Sequence, residues 1–190
     1  MTWKRGHNVN VLEEEHHRIY GSKWALGLDQ YEYLVSHGLQ PGHRLLDFGC
    51  GAGRAGIHLI DYLDPGNYTG VDGHESGINA FQDYEIPLNR LGPKDPDIRL
   101  LDLEKEPFGE EEVFDYVIAF SVFNHMRNHA PAAHNVSRAL KNGGLLVATF
   151  GIPHNFGEFG LTLIKSERTQ SRLVPTKTID WFILRKESGE

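Results

Sequence analysis

A short apolar segment that breaks into a glycine-rich turn constrains this chain more than any other feature. Residues 45–54 have the sequence LLDFGCGAGR, which predicts a strand, a tight turn and the start of a helix. Glycines at alternate positions lack Cβ atoms, so a ligand can lie against the backbone of the turn. The N–H groups that begin the following helix favour electron-rich or anionic ligand groups. The segment therefore predicts a site for a nucleotide-like cofactor.

The spacing of the glycines helps to separate the candidate cofactors. A dinucleotide-binding turn has the pattern G-x-G-x-x-G. Gly49 and Gly51 fit this pattern, but Arg54 occupies its third glycine position, and Asp47 lies near the end of the strand. An acid-ended strand followed by G-x-G-x-G resembles motif I of the class I S-adenosylmethionine-dependent methyltransferases. The resemblance implies S-adenosylmethionine as the cofactor, and an NAD(P)-dependent oxidoreductase is the alternative with the same fold.

Later segments extend the resemblance. The run at 68–72 ends in Asp72, and a carboxylate there can accept hydrogen bonds from both ribose hydroxyls of an adenosine. The run at 98–103 contains Asp102, and the family pattern implies that this acid approaches the adenine amino group. Two further apolar runs, at 114–120 and 140–150, complete a motif order that resembles this family from about residue 43 to residue 150.

Apolar runs of strand length alternate with helix-like stretches, which is typical of βαβ units. We expect an α/β fold with a Rossmann-like, seven-stranded, mostly parallel sheet, helices on both faces and an N-terminal helical cap. The whole of 1–190 is expected to be a single methyltransferase domain. Its parts are predicted as a cap at 8–42, a cofactor-binding core at 43–150 and a C-terminal hairpin at 151–190.

The patterns also predict individual elements. Only about 40 residues follow the fifth strand, so covering the site is expected to fall largely to residues 8–42. In the hairpin, residues 178–185 are predicted to be a final edge strand with 159–165 as an antiparallel partner. Helices are predicted at 24–35, 54–63, 75–84 and 132–140.

The cofactor-binding residues follow from the motifs and from the family pattern. Asp47 has two interpretations, since it contacts the ammonium group of the donor directly or through water, or it only orients the turn. Arg54 pairs either with the donor carboxylate or with an acid of the protein. The residues predicted to bind the cofactor are Asp47, Gly49, Gly51, Arg54, Asp72, Gly73, Asp102, Leu103 and Phe120.

The acceptor is expected above the carboxyl ends of the strands, where open α/β sheets bind ligands. His125 follows the fourth strand, and an imidazole that titrates near neutrality suits a general base. The alternative is that His125 caps the turn and contacts no substrate. Surface or capping positions are predicted for four other histidines, namely His16, His17, His129 and His134.

Other site chemistries are disfavoured. Among the histidines, only His125 and His129 have the i, i+4 spacing of metal ligands, and no acid lies beside them, so no metal site is expected. Cys50, the single cysteine, is predicted to be a small packing residue between two glycines, not a nucleophile. The aromatic side chains of Tyr20, Trp24, Tyr31 and Tyr33 are predicted to be helix core, with one of them a candidate cover for the donor.

Composition limits the partners. The net charge of −7 argues against a broad nucleic-acid surface, and no Asn/Asp-Pro-Pro-aromatic motif of DNA base methyltransferases follows the fourth strand. No apolar run reaches the ~20 residues that a bilayer requires, and Met1–His7 lacks a signal-peptide core, so a cytoplasmic location is expected. We expect a small-molecule acceptor such as a sugar or secondary metabolite, with a homo-oligomer left open. A donor-binding protein without transfer activity is the remaining alternative.

Overall fold

A seven-stranded sheet forms the centre of the part of the chain that the computed structural model describes, in the strand order β3-β2-β1-β4-β5-β7-β6. The described residues are 15–20, 23–105, 109, 111–153 and 155–188. The strands are Leu45–Phe48 (β1), Tyr68–Asp72 (β2), Asp97–Leu100 (β3), Phe114–Phe120 (β4), Leu140–Thr149 (β5), Leu161–Gln170 (β6) and Thr178–Lys186 (β7). The expectations for residues 1–7 and for the start of the cap, 8–14, lie outside the described residues.

Strands β1 to β5 are parallel, and β7 is antiparallel to both of its neighbours, β5 and β6. The predicted Rossmann-like, mostly parallel sheet is thus confirmed. The prediction that 178–185 forms the sheet edge was wrong, since β7 lies between β5 and β6. Its apolar residues, such as Trp181 and Ile183, are buried there, whereas the more polar β6 takes the edge with Leu163 and Ile164 about half exposed. Charged residues along β6 suit an edge position.

Helices connect the strands. The predicted helix 54–63 begins two residues late, and the predicted helix 132–140 begins three residues early, because the side chain of Asn128 accepts a hydrogen bond from the N–H of Ala130 and caps it. Pro131 lies in the first turn of that helix, where a missing N–H costs no intrahelical bond. The helices are Glu15–Tyr20 (α1), Leu26–Ser36 (α2), Gly56–Tyr62 (α3), Glu75–Ala80 (α4), Ile86–Leu88 (α5) and His129–Ala139 (α6). Among the described residues, no helix is both long enough and apolar enough to cross a bilayer.

The helix predicted at 75–84 is not a regular α-helix. Between α4 and α5, the segment Phe81–Glu85 is a π-helical turn. Pro87 lies two residues after this turn, and a proline ring clashes with the carbonyl four residues earlier in an α-helix. The wider π turn is a known way to accommodate such a break. The chain therefore continues as one irregular helix with Glu85 buried at the end of the π turn.

Both faces of the sheet are covered, as expected for a largely parallel sheet. Successive residues of β4 point to opposite faces. Ile118 and Phe120 pack in the core that α2, α3 and α4 share, while Val117 and Ala119 pack in the core on the α6 side. Both cores meet at β1 and β4, whose carboxyl ends lie next to each other in the middle of the sheet.

Gly27 allows α2 to lie directly on the turn after β1. A Cβ atom at this position would be 1.9 Å from the carbonyl oxygen of Arg54. We expect Gly27→Ala to lower the free energy of unfolding by about 1–3 kcal/mol, as overpacking of a rigid core does. Gly92→Ala is the matched control, because nothing lies within 4 Å of its added Cβ. Urea unfolding of the two variants measures the difference, and equal stability would show that α2 can shift away from the turn.

Candidate cofactor and acceptor site

The turn after β1 has a backbone that requires glycine. Gly49, Gly51 and Gly53 have φ angles of +82°, +54° and +85°, a region that residues with a Cβ rarely adopt. The N–H groups of Gly49 and Cys50 donate to the carbonyl of Val71 at 2.8 and 3.0 Å, which ties the turn to β2. The turn therefore presents bare backbone to the space above the strands.

Asp72 ends β2 and faces the same space. Its Oδ2 accepts a 2.8 Å hydrogen bond from the N–H of Gly51, and its Oδ1 accepts one of equal length from the N–H of His74. Each carboxylate oxygen can accept more than one hydrogen bond. The carboxylate is therefore fixed in position by the backbone while it retains acceptor capacity toward a ligand.

Asp47 lies behind the turn. Its carboxyl group is buried and accepts a 2.7 Å hydrogen bond from the hydroxyl of Tyr68. Burial raises the pKa of Asp47 to about 7, the neighbouring Asp72 raises it further, and the Tyr68 hydroxyl and the charge of Arg54 oppose the increase. Burial also lowers the pKa of Arg54, and Asp47 counteracts that change.

The segment after β3 forms one wall. The N–H of Leu101 donates to the carbonyl of Asp72, which joins this segment to the end of β2. Asp102 accepts from the N–H of Glu104 and pairs with Lys105 at 2.9 Å, and the Lys105 side chain holds the pKa of Asp102 below its usual value. Asp102 follows the strand by two residues, because β3 ends at Leu100 and not at 103 as the sequence pattern suggested.

The end of β4 forms the opposite wall. The ring of Phe120 meets Trp181 edge to face, at 5.9 Å between ring centroids. Ser121 has a φ of +63°, and the Thr149 hydroxyl accepts from its N–H at 3.1 Å. A non-glycine residue held in this region is typical of functional sites. His125, at the end of a short 3₁₀ turn, is exposed, and its Nε2 lies 3.1 Å from the side-chain nitrogen of Asn124.

Helix α1 lies against the turn on the third side. The side chain of Tyr20 is hydrogen-bonded to Ser76 of α4, and a Cβ atom on Gly51 would be 3.5 Å from it. Ile19 and Tyr20 both line the cavity. Trp24, Tyr31 and Tyr33 instead pack on other aromatic rings, and Tyr33 stacks on Trp181 at 3.6 Å.

These walls enclose one cavity of about 1200 Å³. Single ligand sites have volumes of about 300–1,000 Å³, so the cavity has room for a nucleoside donor and a small acceptor. The structure brings together nine of the residues predicted from the sequence: Gly49, Gly51, Arg54, Asp72, Gly73, Asp102, Leu103, Phe120 and His125. Asp47 is not among the lining residues, which favours its interpretation as a group that orients the turn. Of the described residues, none beyond Met126 lines this cavity.

Comparison with known proteins assigns this chain to a family. The family described as "Methyltransferase domain" matches residues 46–146, which is just over half of the chain and covers the turn and the ends of β2 and β4. The chain belongs to the methyltransferase domain family. The predicted membership of the class I S-adenosylmethionine-dependent methyltransferases is thereby confirmed, and S-adenosylmethionine is the cofactor of that family.

Relatives and solved structures agree with this assignment. The chain is 28% identical over 131 residues to the sterol 24-C-methyltransferase erg6 of Schizosaccharomyces pombe, covering 67% of this chain and 34% of that protein. It therefore spans about a third of this curated relative. The magnesium protoporphyrin IX methyltransferase of Synechocystis with bound SAH has a similar fold, with a TM-score of 0.67, 16% identity and coverage of 90% and 92%. The [4+2]-cyclase SpnF also shares the fold, with a TM-score of 0.68, 18% identity and coverage of 85% and 82%.

Several residues of the cavity escaped sequence reasoning. Leu100, Leu101, Val122 and Met126 line it but were not predicted to be site residues. Their signal in the sequence is only their position, since they flank Asp102 and His125 at the carboxyl ends of two strands. Val122 and Met126 place apolar side chains near His125, and Leu100, Leu101 and Leu103 do the same near Asp102.

The histidines divide differently from the sequence expectation. His134 is exposed, and the ring Nε2 of His129 is hydrogen-bonded to the carbonyl of Phe123 at 2.8 Å, so these two are surface and turn-capping residues as predicted. The prediction was wrong for His16 and His17, which are buried in contact with Glu85 of the π turn. Although they are adjacent in α1, both rings reach the same carboxylate oxygen.

Proposed function

We propose that this chain binds S-adenosylmethionine against the turn after β1 and transfers its methyl group to a small, largely apolar molecule whose proton-bearing nucleophile lies beside His125. The observation that carries the proposal is a single cavity in which the glycine turn and Asp72 lie on one side and His125 lies among apolar side chains on the other. A secondary metabolite with an apolar body suits these walls better than a sugar does.

The side of the cavity that the glycine turn forms supports this proposal, because its groups can bind the separate parts of S-adenosylmethionine. Gly49 and Gly51 leave backbone free for close approach, Asp72 offers carboxylate oxygens to ribose hydroxyls, and Arg54 offers a cation to a carboxylate. Asp102 lies where an adenine amino group can donate to it. When bound, S-adenosylmethionine supplies an electrophilic methyl group on a sulfonium, and the acidic side chains around the cavity favour a cationic ligand.

The acceptor side supports a reaction by positioning and proton removal. Val122 and Met126, on either side of His125, exclude water from an apolar acceptor. His125 holds the acceptor's hydroxyl or amine through its imidazole and takes the proton that the nucleophile loses. The net charge of −7 favours a small molecule over a nucleic acid. A cytoplasmic location fits a single buried cysteine that needs no oxidising compartment.

Two competing functions remain distinguishable. The family match disfavours an NAD(P)-dependent oxidoreductase. A donor-binding protein without methyl transfer is the second candidate, because this fold also occurs in a protein described as a cyclase. Titration with S-adenosylhomocysteine and with NADH by calorimetry separates the cofactors. Screening apolar alcohols, phenols and amines for release of S-adenosylhomocysteine then separates transfer from binding alone, and donor binding with no turnover on any class would favour the second candidate.

Asp72→Asn is expected to weaken binding of S-adenosylhomocysteine by about ten- to a hundredfold, since a charge-assisted hydrogen bond contributes roughly 1.5–3 kcal/mol. Asparagine keeps one of the two oxygens, so it can accept from only one of the backbone N–H groups of Gly51 and His74, and the melting temperature of each variant shows whether it folds. Asp64→Asn, at an exposed position after α3, is the matched control. Calorimetry measures both affinities, and equal values in two folded variants would remove Asp72 from the donor site.

A further inference from the structure

A buried cluster of metal-ligating side chains lies outside the cavity. His16 and His17 of α1 each place Nε2 2.6 Å from the same oxygen, Oε1 of Glu85. The three residues are 0%, 4% and 1% exposed. The other carboxylate oxygen, Oε2, accepts a 3.0 Å hydrogen bond from the side chain of Asn89. Two imidazole nitrogens and one carboxylate oxygen thus converge in a place that water does not reach.

The surroundings make this cluster rigid. The ring of His17 stacks on Trp24 with 3.7 Å between centroids, and the ring of His16 meets Tyr84 edge to face at 5.2 Å. These ring contacts hold both imidazoles beside the carboxylate of Glu85.

We propose that His16, His17 and Glu85 form a binding site for one divalent transition-metal ion of the zinc type. Their ligand atoms all lie within 4.8 Å of one another. Zinc binds imidazole nitrogen and carboxylate oxygen at about 2.0–2.2 Å, so tetrahedral ligation needs neighbouring ligand atoms roughly 3.4 Å apart. The present N···O contacts of 2.6 Å would open by less than 1 Å through side-chain rotation. This proposal departs from the sequence-based expectation that the chain has no metal site.

The remaining contacts fit a ligand set. Asn89 orients the carboxylate from outside, as groups around metal-binding side chains commonly do. The stacked indole of Trp24 fixes the plane of one imidazole and keeps the site dry. Two histidines and one carboxylate are a ligand set that zinc accepts in proteins when water completes the tetrahedron, so the ion would bring one water molecule into the cluster.

An ion bound in this cluster would stabilise the part of the cavity wall that α1 forms. His16 and His17 precede Ile19 and Tyr20, the two residues through which α1 covers the cavity. Glu85 belongs to the helix segment after α4, whose Ser76 is hydrogen-bonded to Tyr20. An ion bound by both elements would fasten α1 to that segment and stabilise the wall over the glycine turn. Structural zinc contributes directly to folding free energy in this way.

The test uses the whole chain, without an affinity tag, after treatment with EDTA. We expect calorimetry with ZnCl2 to show one tight equivalent, and Co²⁺ to give the visible absorption of a tetrahedral site. At a free zinc concentration a hundred times the Kd, the melting temperature should increase by roughly 5–10 °C. Absence of a tight equivalent, together with no change in melting temperature, would overturn the proposal.

Two variants show where the ion binds. Glu85→Gln keeps the size and one acceptor of the side chain, and it should lower zinc affinity by at least tenfold and abolish the increase in melting temperature. His134→Asn removes an exposed histidine and should leave both unchanged. If Glu85→Gln does not fold, His17→Gln replaces it in the same comparison. Equal zinc binding by wild type and a folded cluster variant would mean that zinc binds elsewhere, which contradicts the proposal.

Discussion

Replacing His125 with alanine is expected to lower the rate of methyl transfer by about a hundred- to ten-thousandfold, which is the usual contribution of a general base. Affinity for S-adenosylhomocysteine should barely change, because the groups expected to bind it lie at or just after the ends of other strands. These groups are the glycine turn, Asp72 and Asp102. His125 lines the cavity and its Nε2 lies 3.1 Å from the side-chain nitrogen of Asn124, whereas the ring of His129 is hydrogen-bonded to the backbone carbonyl of Phe123. This arrangement favours a role toward the acceptor over a turn-capping role.

Single-turnover rates with an acceptor from the screen provide the measurement. His125→Asn separates two roles, because an amide can orient an acceptor by hydrogen bonding but cannot take its proton at neutral pH. Partial recovery of rate relative to alanine would indicate orientation, and no recovery would indicate proton removal. His134→Asn is the control for loss of an exposed histidine. A wild-type rate in His125→Ala would eliminate His125 from the reaction.

The central sheet could be predicted because its signals are local. Each parallel strand is a short apolar run. The alternating glycines after the first strand indicate a turn with positive φ angles, and the structure has such a turn. The order of the last two strands could not be predicted in this way, since the burial that draws β7 inside depends on its contacts with β5. Local periodicity identifies a strand, but only tertiary packing determines which strand is at the edge.

Those residues of the candidate site that follow strands could also be predicted from the sequence. Asp72 and His125 follow strands, and parallel strands bring their carboxyl ends together, so their proximity follows from the fold. The sequence did not predict the cluster at Glu85, because Glu85 lies 69 positions after His16 and 68 positions after His17. One signal was present. Ile78, Phe81 and Glu85 share a helix face by spacing, and an acid on a buried face requires a polar partner.

Asp47→Asn is expected to make the protein more stable at pH 8 by about 4 kcal/mol, and to have little effect near pH 4. The carboxyl has a pKa of about 7 in the folded chain against an ordinary value of 3.8, because burial disfavours its charged form. Between these values the unfolded chain binds fewer protons than the folded chain, so stability falls as pH rises. The loss is complete above pH 7, and a shift of one unit corresponds to about 1.4 kcal/mol.

Urea unfolding of wild type and variant at several pH values from 4 to 8 provides the measurement. The difference between the two removes the titration of all other groups, including the many histidines. Asparagine retains an oxygen that accepts from the Tyr68 hydroxyl, so the hydrogen bond seen at 2.7 Å can persist. A difference that does not change with pH would mean that water or Arg54 keeps Asp47 ionised throughout. In that case a charged Asp47 would already be present behind the turn before any cationic donor binds.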